Sequence, residues 1–335
     1  MTESKLAEAA VAGDDRAYAE LVEPYRGALH AHCYRILGSV HDAEDAVQET
    51  LLRAWRGLPS FQGRSSLRSW LYTIATNVCL RMIERRPGRV LPVDYGPPGD
   101  PHRPLGEPVI ESAWIEPYPD GRLGFDDGPA GPEARYEQRE SVELAFIAAL
   151  QHLPARQRAV LILRDVLGFS GAEVASALQT TPASVYSALQ RAHETVDHRL
   201  PQLSQQAALS SLGDARQREI VDRYVQAWQR HDVDAIVAML TESATVAMPP
   251  TATWYRGRDA IAAFLAARPL DGSLRWRLTP ARASGQLAAQ AQLWDPAASR
   301  FRLHHTAVLT LHDGLIGEIN TFLESWALTF ARSER

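Results

Sequence analysis

Ser170-Gly171-Ala172-Glu173 and, eleven residues later, Thr181-Pro182-Ala183-Ser184 are two helix starts set close together. A Ser hydroxyl and a Glu carboxylate three residues apart each accept a backbone N–H, which is the capping box of a helix N-terminus. It predicts a short helix running to 178. Thr181 followed by Pro182 is a cap with proline at the first helical position, where the missing N–H costs nothing. It predicts a second helix over 182–196. Two short helices across a tight turn, preceded by a helix over 155–167, predict a helix-turn-helix. Its second helix would expose Ala183, Ser184, Tyr186, Ser187, Gln190 and Arg191. Side chains at the start of such a helix face base edges, and Arg191 would meet phosphate.

Working outward, residues 133–152 and 154–200 read as helical. So do 6–86. The run 42–56 is apolar at Ala43, Ala46, Val47, Leu51 and Ala54, near helical period. Gly57-Leu58-Pro59 breaks it, and a loop over 60–66 leads to a helix over 67–86 with Leu67, Leu71, Ile74, Val78 and Met82 on one stripe. Between the helical blocks, 87–132 holds eleven of the 21 prolines and eight of the 21 glycines, with eight acidic residues against three arginines. No regular helix or strand is expected there, so it reads as an extended acidic linker.

The last third has a different texture. A Gln/Ser patch over 202–211 precedes a helix predicted over 216–240, then a shorter one over 259–267. Strands are predicted over 274–278, 286–294, 301–311 and 316–322. Within 301–311, apolar and polar residues alternate with period two. Asp313-Gly314 supplies the hairpin turn. Helices followed by an antiparallel sheet make an α+β domain.

The composition is that of a soluble globular chain: 45% hydrophobic, 22% charged, net charge −5 over 335 residues. No global basic excess announces nucleic acid, so such a reading must rest on local features. No apolar run approaches the ~18–20 residues of a membrane span. The first nineteen residues carry four acidic side chains and no apolar core, so they are not a secretory signal and a cytoplasmic location is expected. Cys33 and Cys79 are too few for a disulfide framework and read as buried free thiols. No cofactor or metal is expected.

Three blocks share one resemblance. Asp42-Ala43-Glu44-Asp45-Ala46-Val47-Gln48-Glu49-Thr50 through Ala54-Trp55-Arg56 resembles the polymerase-binding helix of extracytoplasmic-function sigma factors. Phe61-Gln62-Gly63-Arg64-Ser65-Ser66-Leu67-Arg68-Ser69-Trp70-Leu71 through Asn77-Val78 looks like their promoter-melting and −10-reading segment. Leu153-Pro154-Ala155-Arg156-Gln157-Arg158 with the helix-turn-helix looks like their −35-reading domain. The resemblance implies two all-α domains, region 2 over 6–86 and region 4 over 133–200, that bind the clamp helices and flap of core RNA polymerase and direct it to promoter DNA.

It assigns polymerase binding to Asp42, Glu44, Asp45, Gln48 and Glu49, whose acidic face suits a basic partner. It assigns the −10 element to Phe61, Gln62, Arg64, Ser65, Ser66, Trp70, Asn77 and Arg81, and the −35 element to Ser184, Tyr186, Ser187, Gln190 and Arg191. A base leaving the stack is held by aromatic, cationic and small polar groups of this kind. Trp70 has a second reading, as core. Tyr186 and Ala188 stand where the family commonly has Lys or Arg. Free DNA binding should therefore be weak, each lost phosphate contact taking about one unit from the salt slope. In the family the connector threads the polymerase cleft. Its island Glu111-Ser112-Ala113-Trp114-Ile115-Glu116-Pro117-Tyr118 marks Trp114 and Tyr118 as an anchor on another domain.

A second resemblance covers 214–331. Arg223-Tyr224-Val225-Gln226-Ala227-Trp228, Trp254-Tyr255-Arg256-Gly257-Arg258 and Asp313-Gly314-Leu315-Ile316-Gly317-Glu318-Ile319 look like the SnoaL-like group of the cone-shaped α+β fold, similar to NTF2 and ketosteroid isomerases. The whole chain thus reads as multidomain, two all-α domains plus this one. The fold hosts enzymes and binding modules alike. An apolar pocket is expected from Trp228, Met248, Trp254, Tyr255, Phe264, Trp276, Trp294 and Phe322, with room for a small-molecule ligand. Catalysis would need a buried carboxylate or His, and His231, Asp232, Asp259, Asp295, His304, His305 and Glu318 offer no evident carboxylate pair. His304 and His305 are expected on opposite faces of their strand. The leading expectation is an alternative sigma factor whose C-terminal domain regulates it and has no catalytic residues. The alternatives are a bifunctional protein with an isomerase or cyclase domain, and a plain DNA-binding repressor, which would have no need of the acidic helix.

Overall fold

The computed structural model describes residues 2–61, 63, 65–84, 88–109, 114–122, 132–325 and 327. The chain divides into two compact units. Residues 1–89 and 121–200 form the first; 90–120 and 201–335 form the second.

The first unit is helical. It begins with α1 (Glu3–Val11), α2 (Asp15–Val22), α3 (Arg26–Leu37), α4 (Val40–Gly57) and α5 (Leu67–Ile83). The connector carries one short helix, α6 (Pro92–Tyr95), and the first unit resumes with α7 (Pro132–Glu140), α8 (Leu144–Gln151), α9 (Ala155–Leu161), α10 (Gly171–Ala177) and α11 (Pro182–Asp197). Caps written in the sequence set the starts. Ser39 Oγ accepts from Asp42 N at 3.1 Å and Ser66 Oγ from Ser69 N at 3.1 Å. The Ser170–Glu173 capping box is formed in both directions, and Thr181 Oγ1 accepts from Ser184 N at 3.2 Å. The helix expected over 155–167 is α-helical only to Leu161, then a π turn over Ile162–Val166.

The unit's core is a column of fully buried side chains, among them Leu29, Cys33, Tyr34, Ala43, Ala46, Leu71, Ala75, Cys79, Ile147 and Leu150. Cys33 and Cys79 are free thiols inside it. Burying a leucine-sized side chain is worth about 1.5–3 kcal/mol, so these positions dominate the unit's stability. Of the stripe read off the sequence, Leu67, Leu71 and Val78 are buried and Ile74 and Met82 half-buried, and the buried face is wider than that stripe, taking in Tyr72, Ala75, Thr76 and Cys79. The cause is tertiary, since α5 packs on α3, α4 and α9.

Arg158 is a buried charge that pairs with no carboxylate among the described residues. Its guanidinium donates to Ile36 O (2.5 Å), Gln151 Oε1 (2.6 Å), Gln151 O (3.0 Å) and Leu153 O (3.2 Å), closing carbonyls at the ends of α3 and α8. Burial lowers its pKa to about 10.

The second unit is an α+β domain. Helix α12 (Gln205–Gln229) is broken at Gly213, whose φ of 71° only glycine tolerates cheaply. Then come α13 (Val233–Val237), β1 (Leu240–Ala247), β2 (Trp254–Arg256), α14 (Arg258–Ala267), β3 (Trp276–Ala283), β4 (Gln286–Asp295), β5 (Arg300–His312) and β6 (Leu315–Leu323). The sheet order is β2-β1-β6-β5-β4-β3. Three readings are corrected. The sheet is mixed, because β1 runs parallel to β6. The helix expected over 216–240 ends at Gln229, and Leu240–Ala247 is a strand whose Leu240, Ala244 and Val246 are buried while Glu242 and Ser243 are exposed. The Gln/Ser patch is helical from Gln205, and Gln205 and Gln206 are buried because their amides serve strand backbone. Gln205 pairs with Leu311 N (2.7 Å) and O (2.9 Å), and Gln206 donates to Gly285 O at 2.7 Å. The Asp313-Gly314 hairpin turn forms with φ of 52° and 78°, the positive values of a type I′ turn.

The connector residues of the second unit do not run free. Ser284 N donates to Tyr118 O at 2.7 Å and Tyr118 N to Ser284 Oγ at 3.0 Å. Gly285 N donates to Asp120 Oδ1 (2.8 Å), Val109 N to Pro250 O (2.9 Å) and Gly99 N to Trp254 O (2.7 Å). Pro and Gly deny the segment a long element, yet its backbone finds partners on the C-terminal domain.

Candidate functional site

Helix α11 presents the −35 candidates. Ser184, Tyr186, Ser187, Gln190 and Arg191 are exposed, whereas Val185, Ala192 and Val196 are buried beneath them. The period of the buried residues aims the polar ones outward. Tyr186 is 56% exposed, and the Arg164 guanidinium lies 5.9 Å from its ring. Gly171, at the start of α10, sits under the Tyr186 hydroxyl: a Cβ there would lie 3.0 Å from it. Gln190 donates to Glu194 at 3.2 Å.

On α4, Glu44, Asp45 and Gln48 are exposed and Glu49 is partly so, paired with Arg53 one turn on. Glu44 also lies 3.5 Å from Arg122. Asp42 is set apart from this face. It is buried and bonded to the buried Arg89 at 2.6 Å. It stands in the first turn of α4, where the helix dipole favours a carboxylate.

The −10 candidates spread over a loop and α5. Phe61 and Trp70 are half-buried with ring centroids 4.8 Å apart, and a Cβ on Gly57 would lie 3.2 Å from the Trp70 ring. Ser65 and Ser66 are exposed, and Ser66 caps α5. Gln62 and Arg64 lie outside the described residues. Arg81 is exposed and donates to Asn77 O at 3.1 Å. Asn77 Nδ2 donates to Thr73 O at 2.9 Å and to Ala177 O, at the end of α10, at 3.3 Å.

Sequence reasoning missed Arg68. It donates to Leu167 O at 3.2 Å and lies over the rings of Tyr72 (5.2 Å) and Phe169 (4.7 Å). No local signal could reveal a partner 99 residues away. It also missed His32, fully buried on Thr76 Oγ1 at 2.9 Å and held neutral by burial, its pKa lowered to about 3.

In the C-terminal domain, Trp228, Met248, Tyr255 and Phe264 belong to one core, with Trp276 packed against it. The other three pocket candidates lie elsewhere. Trp254 donates its indole N–H to Gly96 O at 2.8 Å. Trp294 packs on Phe301 (5.2 Å) with Arg275 over it, and Phe322 stands opposite Thr306 across β5–β6. Tyr118 is fully buried on the β3–β4 turn, and Trp114 is buried against Tyr95 (5.3 Å), its indole donating to Val109 O at 3.4 Å.

One strand reading is overturned. His304 and His305 share a side. The β4–β5 register slips between Ala291, opposite His305, and Gln292, opposite Leu303, so His304 is the extra residue of a bulge. Their Nδ1 atoms are 2.9 Å apart and both rings lie beside Trp276, at 5.0 and 5.7 Å. Burial lowers the His304 pKa to about 4, and burial together with the neighbouring His304 holds that of His305 well below the usual imidazole value. Asp232 caps α13 by accepting from Ala235 N (2.9 Å), and Asp295 accepts from Ala297 N (3.0 Å) in its turn. Among the described residues no group of three or more His, Cys, Asp or Glu is placed to hold a metal, and no helix is long and apolar enough to cross a membrane.

Three family descriptions match: Sigma-70 region 2 over 21–87, Sigma-70 region 4 over 143–195 and a SnoaL-like domain over 221–319. The chain is 46% identical over 269 residues to the ECF RNA polymerase sigma factor SigG of Mycobacterium tuberculosis H37Rv, covering 80% of this chain and 71% of that one. It is 31% identical over 196 residues to SigE of Mycolicibacterium smegmatis, covering 57% and 65%. The crystal structure of M. tuberculosis SigJ shares the fold, with TM-score 0.58 at 24% identity over 93% of this chain and 98% of that one. The chain belongs to the extracytoplasmic-function sigma factors of RNA polymerase.

Proposed function

We propose that this sigma factor docks on core RNA polymerase through Glu44, Asp45, Gln48 and Glu49, and that Asp42 serves the docking helix from inside, fixing its start through Arg89. The −35 element is read by Ser184, Ser187 and Gln190, with Tyr186 beside them and Arg191 on phosphate. The −10 strand is taken by Phe61, Gln62, Arg64, Ser65, Ser66, Trp70, Asn77 and Arg81. The observation that carries this reading is exposure. Nearly every described residue so assigned is exposed or half-buried, and polar side chains held outward on capped helices are what a groove or a basic partner can reach.

The free protein is closed. Asn77 is bonded to α10 and Arg68 to the loop before it. The −10 and −35 elements lie about 25 base pairs apart, about 85 Å along B-form DNA. A compact body of about 170 residues is about 40 Å across. The two regions must part before both elements are engaged.

The C-terminal domain regulates that parting and catalyses nothing itself. It holds the connector. Residues 90–120, extended, would reach about 100 Å; docked through Tyr118, Ser284 and Pro250 they reach far less. A domain that grips the connector limits how far regions 2 and 4 separate. The coupling between grip and promoter engagement falls in the usual range of about 1–3 kcal/mol.

The test is in vitro transcription with core polymerase by the full chain and by a chain ending at Pro201. A promoter-specific transcript from both, with a changed yield from the shorter chain, supports the reading. An equal yield removes the regulatory role, and no transcript from either removes the whole.

A further inference from the structure

The C-terminal domain carries positive charge that the chain as a whole does not. Residues 268–302 hold six arginines and two aspartates, in a chain whose net charge is −5. Both aspartates are engaged locally. Asp295 is bonded to Arg302 at 3.0 Å, and Asp271 accepts from Ser273 N at 2.8 Å. Two of the arginines stand on the face of the sheet opposite the core. Side chains alternate along a strand, and Leu278 and Ala291, opposite each other, point into the core. Arg277 and its opposite number Gln292 therefore point away from it, as do Trp294 and its opposite number Phe301. Trp294 N donates to Arg275 O at 3.0 Å, which places Arg275 at the end of the same face.

Arg275 and Arg277 are exposed, and neither has an ion-pair partner among the described residues. The Arg277 guanidinium lies 4.1 Å from the centre of the Phe301 ring, and that of Arg275 lies 5.1 Å from Trp294 and 5.9 Å from Phe301. The two rings are half-buried, with centroids 5.2 Å apart. Two residues further along this face, Thr279 and Gln290 stand opposite each other and are exposed. Beyond them Ala288 and Val308 are fully buried. The open part of the face is thus confined to one end of β3, β4 and β5, away from the β3–β4 turn that holds Tyr118.

We infer that this end of the sheet binds single-stranded DNA. A planar guanidinium lying on a ring gives a base a flat surface to stack on, and its remaining N–H groups reach the phosphates. Gln290, Gln292 and Thr279 add hydrogen bonds beside them. Only a strand with unpaired bases offers base faces to such a surface; a duplex offers edges in its grooves and would use the charges without the rings. An acidic peptide would likewise leave the rings without a flat partner. DNA is the strand at hand, because the family to which the chain belongs works at promoter DNA. The inference is independent of the −10 and −35 assignments, whose residues lie in the first unit.

The experiment uses the full chain and follows the fluorescence anisotropy of a labelled oligothymidylate of about fifteen nucleotides, a length that one sheet-borne site can cover. It contains no promoter element. The wild type should bind it at low salt. Arg275→Gln with Arg277→Gln should weaken binding at least about tenfold and flatten the dependence of log affinity on log salt by about 1.4, at about 0.7 for each phosphate contact on a single strand. Phe301→Leu should weaken binding about tenfold through lost stacking and leave that salt dependence unchanged. Arg216→Gln, which removes an exposed arginine of α12 paired with Glu219, should bind as the wild type does. The double variant should also melt with the wild type, since both its arginines are exposed, so its loss of binding is read on a folded protein. No binding by the wild type, or equal binding by the wild type and the variants, overturns the inference. So does tighter binding of duplex DNA or of oligouridylate of the same length. A wild-type dimer that the double variant abolishes also overturns it, since a second copy would then cover the face.

Discussion

Asp42 and Asp45 stand three residues apart on one helix and have opposite environments. Asp42 is sealed against Arg89, whereas Asp45 faces solvent. Removing one partner of a buried ion pair leaves an uncompensated charge and typically costs about 3–5 kcal/mol. Asp42→Ala should therefore lower the melting temperature of the first unit markedly. Asp45→Arg with Glu49→Arg should leave melting nearly unchanged and abolish binding to core polymerase, as read by pull-down. Undiminished holoenzyme formation by that double variant would sink the assignment of α4. The buried histidines add a pH dependence. His32 and His304 have pKa values lowered by burial to about 3 and about 4, and burial also holds that of His305 well below its usual value. Below the unfolded value of about 6.5 the unfolded chain takes up protons that the folded chain does not. Stability is complete above that value and is lost as pH falls towards 4, by at most about 1.4 kcal/mol per pH unit for each histidine. Thermal melts from pH 8 to 4.5 should show a falling midpoint, and a flat profile would contradict this burial.

Among the elements, the helix-turn-helix was the most legible in sequence, because its determinants are local. The Ser170 and Thr181 caps need no distant partner, and both form. Replacing Thr181 by Ala should cost about 1 kcal/mol and loosen α11 without changing which bases it reads. Ser187→Ala or Gln190→Ala should shift −35 preference, since a good base contact carries about 1–3 kcal/mol of discrimination. Arg191→Ala should weaken all promoters alike. A −35 selection profile identical for all three variants would refute this division of labour. What sequence could not give is non-local. The parallel pairing of β1 with β6 and the bulge that brings His304 round to His305 depend on neighbours far along the chain. β1 itself was readable, since Leu240, Ala244 and Val246 recur at even spacing, but the preceding helix pattern masked its start. The connector was legible as a breaker-rich segment, yet its backbone bonds to Ser284, Pro250 and Trp254 have no sequence signature.

At the scale of the whole molecule, the two halves of the helical unit bond to each other, and the connector between them is bonded to the C-terminal domain. Arg68 and Asn77 each give a backbone carbonyl of region 4 a partner from region 2. Arg68→Ala should favour the open form and raise transcript yield at limiting polymerase, whereas a purely structural role would lower it. Fluorophores placed on α4 and α11 of the full chain report the separation of the two regions by energy transfer. The free protein should show one short distance, and a distance longer by several tens of ångströms when core polymerase and promoter are present. The free chain that ends at Pro201 should show a larger share of long distances. A transcribing complex in which the short distance persists would contradict that separation.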